Sequence, residues 1–301
     1  MIKDELKILE ELLGEDYHEN IPMKRHTTFK TGGNADIFIC PQTTEALAES
    51  IKILSGSDYA FYIIGNGSNI IVPDSGIRGV VVSTKGLREI TQNGNTLTVG
   101  AGVINAEAAR FAENASLGGM EFLSGIPGTI GGAAVMNAGA YGHETKDIIT
   151  KVTYVTKKGE IKEIAASEVG YGYRTSLFTK SDHVVVSAEF GLYEKDKEEI
   201  SAYTKDLNQR RRDKQPLNYP SAGSVFKRPE GYFAGKLIED SGLKGYRIGG
   251  AMVSEKHAGF IINYDNATSD DILNLIKHVQ DVVYEKFGVM LEREIKILGS
   301  M

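Results

Sequence analysis

The sequence lacks most of the features that would commit it to a familiar chemistry at sight. It holds a single cysteine, Cys40, in the strand-like run IFICP, so no disulfide can close within the chain and a reducing cytoplasm is the expected setting. Cys40 is expected to be a small buried apolar side chain without a catalytic role. Basic residues are in the minority. The net charge is −6, and Lys and Arg are scattered except at Arg210, Arg211 and Arg212, which argues against an extended nucleic-acid surface. The opening MIKDELKILEELLG alternates charges with Leu and Ile, and has neither the apolar core of a signal peptide nor the length of a membrane span. No P-loop, HExxH or Cys/His cluster occurs, so no metal is expected. No GxSxG surrounds Ser224, and His26, His143 and His257 stand isolated, so that serine has no base in view with which to act as a nucleophile. Internal repeats and low-complexity tails are also missing.

What is present is a soluble, globular composition rich in glycine. At 301 residues, and about 150 residues per domain, about two domains or three small ones are expected. An apolar content of 41% supports substantial cores. Glycine numbers 34, and eight of those fall in 118-GGMEFLSGIPGTIGGAAVMNAGAYG-142, where the backbone can approach a ligand closely.

Hydrophobic spacing predicts a helix over 3–13 that stops at Gly14, a strand DIFIC, a helix over 44–54, and strands FYII and VVVS, together a small α/β unit. From 80 to about 195 the pattern turns to β, with hairpins predicted at Asn93-Gly94 and Lys158-Gly159 and one helix over 105–116. A helix over 197–215 carries Ile200, Tyr203 and Leu207 on one face and ends before Pro216. The last part holds the strand GFIIN, a helix N-capped by Ser269 and stopped by Gly288, and a closing strand EIKIL.

Five stretches carry polar groups worth weighing. The turn 65-GNGSN-69 follows a strand and supplies neutral donors suited to a diphosphate, although Ile70 occupies the third glycine position of the dinucleotide fingerprint; a plain structural turn stays open. The segment 124-SGIPGTIGGAAVMNAGAYG-142 offers an uncharged bed for a large cofactor, or else a buried Gly/Ala packing segment. Arg174, in 172-GYRTSLF-178, requires an anionic partner, either a structural carboxylate or a ligand. In 291-LEREIKILG-299, alternation puts Glu292 and Glu294 on one face and Arg293 and Ile295 on the other. Ser224, in 219-YPSAGSVFKRP-229, is a turn hydroxyl or a proton donor to a stabilised carbanion.

Taken together and in order, 27-TTFKTGGNAD-36, 65-GNGSN-69, 121-EFLSGIPGTIGGAAVMNAGAYG-142, 172-GYRTS-176, 222-AGSVFKRP-229, 254-SEKHAGFIIN-263 and 289-VMLEREIKILG-299 resemble the UDP-N-acetylenolpyruvoylglucosamine reductases, the MurB family of peptidoglycan precursor synthesis. The resemblance implies an α+β, three-domain flavoenzyme: a two-part FAD-binding region of the PCMH/vanillyl-alcohol-oxidase type and a C-terminal α+β substrate domain. The expected segments are 1–80 and 81–212 for FAD and 213–301 for substrate. It implies NADPH reducing FAD, and hydride passing to C3 of the enolpyruvyl group of UDP-N-acetylglucosamine enolpyruvate to give UDP-N-acetylmuramate. The FAD contacts are expected from Gly65, Asn66, Gly67, Ser68 and Asn69, and from Ser124, Gly125, Ile126, Pro127, Gly128, Thr129, Gly131, Gly132 and Ala133, with 27-TTFKTGG-33 helping to build that half.

By the same resemblance Arg174 and Glu294 match the pair that stabilises an enolic intermediate, Ser224 matches the proton donor to C2, and Lys214, Lys227, Arg228 and Tyr173 are expected on the substrate side. A guanidinium can offset the charge that develops on C2 and its carboxylate but cannot give up its proton, which leaves the serine as the acid. Glu294, protonated in a closed site, would donate a hydrogen bond to the enolate. The stretch 176-SLFTKSDHVVVS-187 lacks the tyrosine-bearing loop of some members, so this chain is similar to the shorter subtype, and Arg228 stands where many members have Asn. A flavin-linked oxidase of the same superfamily would be expected to carry a tethering His or Cys in 65–69 or 124–132, where there is none. A non-catalytic nucleotide-binding module has no use for Arg174, Ser224 and Glu294 together. The expected partners are the UDP-sugar and NADPH, with no nucleic acid, membrane or obligate protein partner.

Overall fold

The structure, a computed structural model, describes residues 2–299. Three larger sheets organise it. A four-stranded sheet has the order Tyr17–Pro22, Asn34–Ile39, Ile77–Ser83, Phe61–Ile64. A five-stranded sheet has the order Ile161–Ala165, Ile149–Val155, Val184–Gly191, Thr96–Gly100, Ile90–Asn93. A three-stranded sheet is made by Arg247–Ile248, Ala251–Val253 and Ile261–Asn263. The chain divides into two compact units, the first of Met1–Glu19, Ile37–Asn66 and Gly79–Gln209, the second of Asn20–Asp36, Gly67–Arg78 and Arg210–Met301.

In the first unit α1 (Ile2–Leu13) and α2 (Thr44–Ser55) follow the predicted spacing. Thr43 caps α2 by accepting from Ala46 N at 3.1 Å, and Leu47, Ile51 and Leu54 form its buried face. Strands Phe61–Ile64 and Ile77–Ser83 pair in parallel, Ile63 opposite Val82. The five-stranded sheet is antiparallel. Both predicted hairpins form, each with a glycine in the left-handed region near the turn, Gly94 at φ +58° and Gly159 at φ +74°. Leu97, Val99, Val152, Val186, Ala188 and Phe190 are buried in the core, together with Ala108 and Ala112 of α3 (Asn105–Asn114). Burying side chains of that size contributes roughly 1.5–3 kcal/mol each for the large ones, which is what fixes the sheet's register.

The glycine-rich segment, for which no helix is expected, contains one, α4 (Ile130–Met136). Two glycines in seven residues cost roughly 2 kcal/mol of helix propensity. Packing overrides that cost: a Cβ on Gly131 would lie 2.8 Å from Ala101 Cβ, so only glycine lets the helix sit this close to the sheet. α5 (Lys197–Lys214) follows, with Ile200 and Leu207 buried and Tyr203 of the same face half-buried.

The second unit is built around α6 (Ala234–Asp240) and α7 (Ser269–Phe287), with Phe29, Ile71, Val225, Leu237, Ile272, Ile276, Val279, Val283, Leu291 and Ile295 in its core. The cap of α7 differs from expectation. Thr268, not Ser269, is the N-cap: its hydroxyl accepts from Asp271 N at 3.0 Å while Asp271 Oδ2 accepts from Thr268 N at 3.0 Å. Ser269 lies inside the helix and donates its hydroxyl to Val72 O at 2.6 Å. The reciprocal bond to Asp271 is what selects Thr268, since Ser269 has no acid three residues on. The closing strand is also shorter than expected. Only Lys296–Ile297 pairs, in parallel with Ile70–Ile71, because Glu294 N donates instead to Val225 O at 2.8 Å. Cys40 is half-buried rather than buried, and desolvation pushes its thiol above the usual range. Among the described residues no helix is long and apolar enough to cross a membrane.

Candidate active site

In the first unit the predicted cofactor segment is held from behind by its own carbonyls. Ile126 O accepts from Asn105 Nδ2 at 3.2 Å and Gly128 O from Asn105 N at 3.1 Å. Further along, Ile130 N and Gly131 N donate to Val103 O and Ala101 O, each at 2.9 Å. Gly128 sits at φ +135°, a conformation open only to glycine. Ser124 donates its hydroxyl to Glu121 O at 2.7 Å and accepts from Asn208 Nδ2 at 3.1 Å. Glu121 is buried and its Oε2 accepts from Gly119 N at 2.7 Å. Gly65 belongs to the same surface, because a Cβ there would lie 2.4 Å from Thr129 Oγ1. Two separate predicted segments, Gly65-Asn66 and 124–133, are thus brought together.

The donor set is chemically right for a dinucleotide such as FAD. Neither 65–69 nor 124–133 contains a carboxylate; both offer main-chain amides and hydroxyls, 65–69 adds two Asn side chains, and Gly65, Gly67 and Gly131 sit where a Cβ would clash with neighbouring atoms. Asn105 Oδ1 is buried without a partner beside this turn, an acceptor still to be used. Sequence reasoning missed Asn105 and Asn208; a lone Asn at a helix start or on a polar helix face gives no sign of what it supports.

Arg174 stands on the same unit. It has φ +55°, in the left-handed region, and is half-buried. Its Nη1 donates to Asn137 O at 3.4 Å and its Nη2 to Gly139 O at 3.3 Å. The guanidinium lies 5.0 Å from the ring centre of Tyr173, which is exposed. These carbonyl contacts orient the planar fork.

In the second unit lie Gly67, Ser68 and Asn69. Gly67 has φ +63°, its Cβ would fall 2.0 Å from His26 O, and its carbonyl accepts from Thr28 N at 3.1 Å. The segment 27-TTFKTGG-33 therefore seats this turn. Asn69 O accepts from Lys296 N at 3.0 Å, tying the turn to the C-terminal residues.

Ser224 and Glu294 are neighbours in this unit. The chain from 224 to 227 threads between two others: Ser224 bridges Phe260 and Phe226 bridges Arg293. Val225 N donates to Gly259 O at 2.9 Å, Glu294 N donates to Val225 O at 2.8 Å, and Lys227 N donates to Glu292 O at 2.9 Å. Val225 is buried, Ser224 is exposed and Glu294 is half-buried. Lys227 Nζ is ion-paired with Glu292. The Arg228 guanidinium lies 4.4 Å over the Phe233 ring, and Lys214 is exposed at the end of α5. Behind Ser224, His257 Nδ1 accepts from Gly259 N at 3.1 Å, and burial pushes its pKa below the usual imidazole value, so it is neutral at pH 7. Among the described residues no group of His, Cys, Asp and Glu could hold a metal ion.

Residues 35–165 match the FAD binding domain family and residues 215–298 match the UDP-N-acetylenolpyruvoylglucosamine reductase C-terminal domain family. The UDP-N-acetylenolpyruvoylglucosamine reductase of Exiguobacterium sibiricum is 51% identical over 281 residues, covering 93% of this chain and 92% of that one. The crystal structure of the reductase from Thermus caldophilus superposes with a TM-score of 0.81 at 33% identity, covering 93% of this chain and 98% of that one. An alkyldihydroxyacetonephosphate synthase shares the fold over 64% of this chain and 41% of its own, with a TM-score of 0.50 at 15% identity.

Proposed function

The chain belongs to the UDP-N-acetylenolpyruvoylglucosamine reductase family, an FAD-dependent oxidoreductase of peptidoglycan precursor synthesis, and on that premise we propose which of its residues carry the reduction and how. The observation that carries the reading is the main-chain bond from Glu294 N to Val225 O, which ties the segment carrying the exposed Ser224 to the one carrying the half-buried Glu294.

FAD, when bound, would supply the hydride chemistry at the terminal enolpyruvyl carbon C3, renewed by NADPH. The charge left on C2 and its carboxylate then needs a fixed cation, and Arg174, oriented by Asn137 O and Gly139 O, meets that need. Glu294, in its protonated form, donates a hydrogen bond to the same enolate. Ser224 Oγ–H gives its proton to C2, completing CH3–CH(OR)–COO⁻, and the alkoxide recovers a proton from solvent. Gly65, Asn66 and 124–133, with Gly67, Ser68 and Asn69, would hold the diphosphate and flavin. Lys214, Lys227, Arg228 and Tyr173 serve the UDP-sugar, Lys227 exchanging its present partner Glu292 for a substrate anion. In functional terms, 1–80 and 81–212 are the FAD-binding segments and 213–301 the substrate segment. The enzyme works in the cytoplasm on a soluble UDP-sugar.

The test is turnover in D2O with NADPH and UDP-N-acetylglucosamine enolpyruvate. The product should carry solvent deuterium at C2, the position protonated by the exchangeable serine hydroxyl. Solvent hydrogen absent from C2, or no NADPH oxidation, sinks the assignment.

A further inference from the structure

Asn137 ends α4 and is wholly buried, at 0% exposure, with φ +46°. Its side chain makes three hydrogen bonds: Nδ2 donates to Gly172 O at 3.0 Å and to Glu144 Oε2 at 3.1 Å, and Oδ1 accepts from Lys146 N at 2.9 Å. Its main-chain carbonyl is one of the acceptors for Arg174. The same residue therefore grips the chain two positions before Arg174 and receives the guanidinium itself.

The turn it grips is closed on itself, Gly172 N donating to Thr175 O at 3.0 Å and Thr175 N to Gly172 O at 3.3 Å. From the other side Ser176 donates its hydroxyl to Val135 O at 2.6 Å. Arg174 is thus pinned, in a left-handed conformation that a free loop would abandon, to the C-terminal end of the helix whose N-terminal turn is the predicted flavin bed. The left-handed backbone of Asn137 is what lets its carbonyl turn toward Arg174 while its amide reaches Gly172. Asparagine is among the few non-glycine residues that adopt it readily, and its side-chain amide can donate to Gly172 O.

We propose that Asn137 is a positioning residue for the reaction, holding the Arg174 fork where the enolate charge develops. This rests on the role given to Arg174 above. Its removal leaves the charge in place but misdirected, so the loss falls on the step that Arg174 assists and on no other.

The experiment is stopped-flow spectroscopy on the full-length, FAD-loaded protein, following reoxidation by saturating UDP-N-acetylglucosamine enolpyruvate. Asn137→Gly keeps the backbone conformation and deletes the amide; Asn137→Asp keeps the size and loses both donated bonds. Each should slow reoxidation roughly 10–100-fold, the scale of a displaced charge-assisted hydrogen bond. Flavin reduction by NADPH should stay within about threefold, and in an Arg174→Ala background the same changes should add less than about threefold, because positioning and positioned residues are non-additive. Equal losses in both backgrounds, unchanged reoxidation, or failure of both variants to retain FAD would overturn the proposal. If Arg174→Ala alone reoxidises at the parent rate, the role of Arg174 itself is what has failed.

Discussion

Arg174, Ser224 and Glu294 differ in what they can exchange with an enolate, and the difference is open to substitution. Arg174→Lys keeps a charge but loses the planar fork that Asn137 O and Gly139 O orient, so reoxidation should fall by about 10²-fold with FAD retained. Glu294→Gln keeps a neutral N–H donor where Glu294→Ala keeps nothing. The alanine variant should therefore be slower than the glutamine variant by at least about tenfold in kcat. Equal rates for the two would remove the hydrogen-bonding role from Glu294. His257, neutral and accepting from Gly259 N, supports the Ser224 strand through the Gly259 carbonyl and needs no protonated form to do so.

At the scale of elements, the glycine positions and the α7 cap make separate predictions. Gly65→Ala drives a methyl group into Thr129 Oγ1, and Gly67→Ala adds left-handed strain to a clash with the His26 carbonyl. Both should weaken FAD binding in equilibrium titrations, Gly67→Ala more severely because the obstructing atom is backbone. Thr268→Ala should cost about 1 kcal/mol of stability in urea unfolding, since it deletes one arm of the capping box. Asp271 is the other arm. Burial tends to raise its pKa, but the bonds from Thr268 N, Gly250 N and the Thr268 hydroxyl outweigh that and hold it below the usual carboxylate range. A depressed folded-state pKa gives stability that is present above the ordinary carboxylate pKa and is lost as pH falls through the folded value. Asp271→Asn should flatten that acid limb of the unfolding curve, and an unchanged limb would show that other carboxylates set it.

Most elements were legible because their signals are local. Leu47, Ile51 and Leu54 recur at helical spacing, Gly94 and Gly159 punctuate alternating strands, and Gly288 ends α7 at φ +68°. What escaped the sequence depends on contacts distant along the chain. α4 exists because Gly131 can lie against Ala101, and Ser269 yields the cap to Thr268 because Asp271 answers only the latter. The EIKIL strand is cut short by a bond to Val225, some seventy positions away in the chain. Within the candidate site, the residues proposed to react were chosen from motifs, whereas the seat of Arg174 on Asn137, Gly139 and Gly172 could not be read that way, since an asparagine amid Gly and Ala announces no partner.

For the whole molecule, the FAD binding domain match and the carboxylate-free donor set lead to a direct physical expectation. The purified protein should be yellow, should release its flavin on denaturation, and should melt higher with excess FAD; a hundredfold excess over Kd adds about 2.7 kcal/mol. A colourless protein that never takes up FAD would contradict the family assignment's chemical content.

The central claim is that Ser224 acts as an acid in the second half-reaction only. It is tested most directly by single-turnover kinetics on Ser224→Ala. Reduction of bound flavin by NADPH should proceed within about threefold of the parent, while reoxidation by the enolpyruvyl substrate falls by about 10²–10⁴-fold, the span of a lost general acid. Equal losses in the two half-reactions would make Ser224 a structural residue and contradict the account.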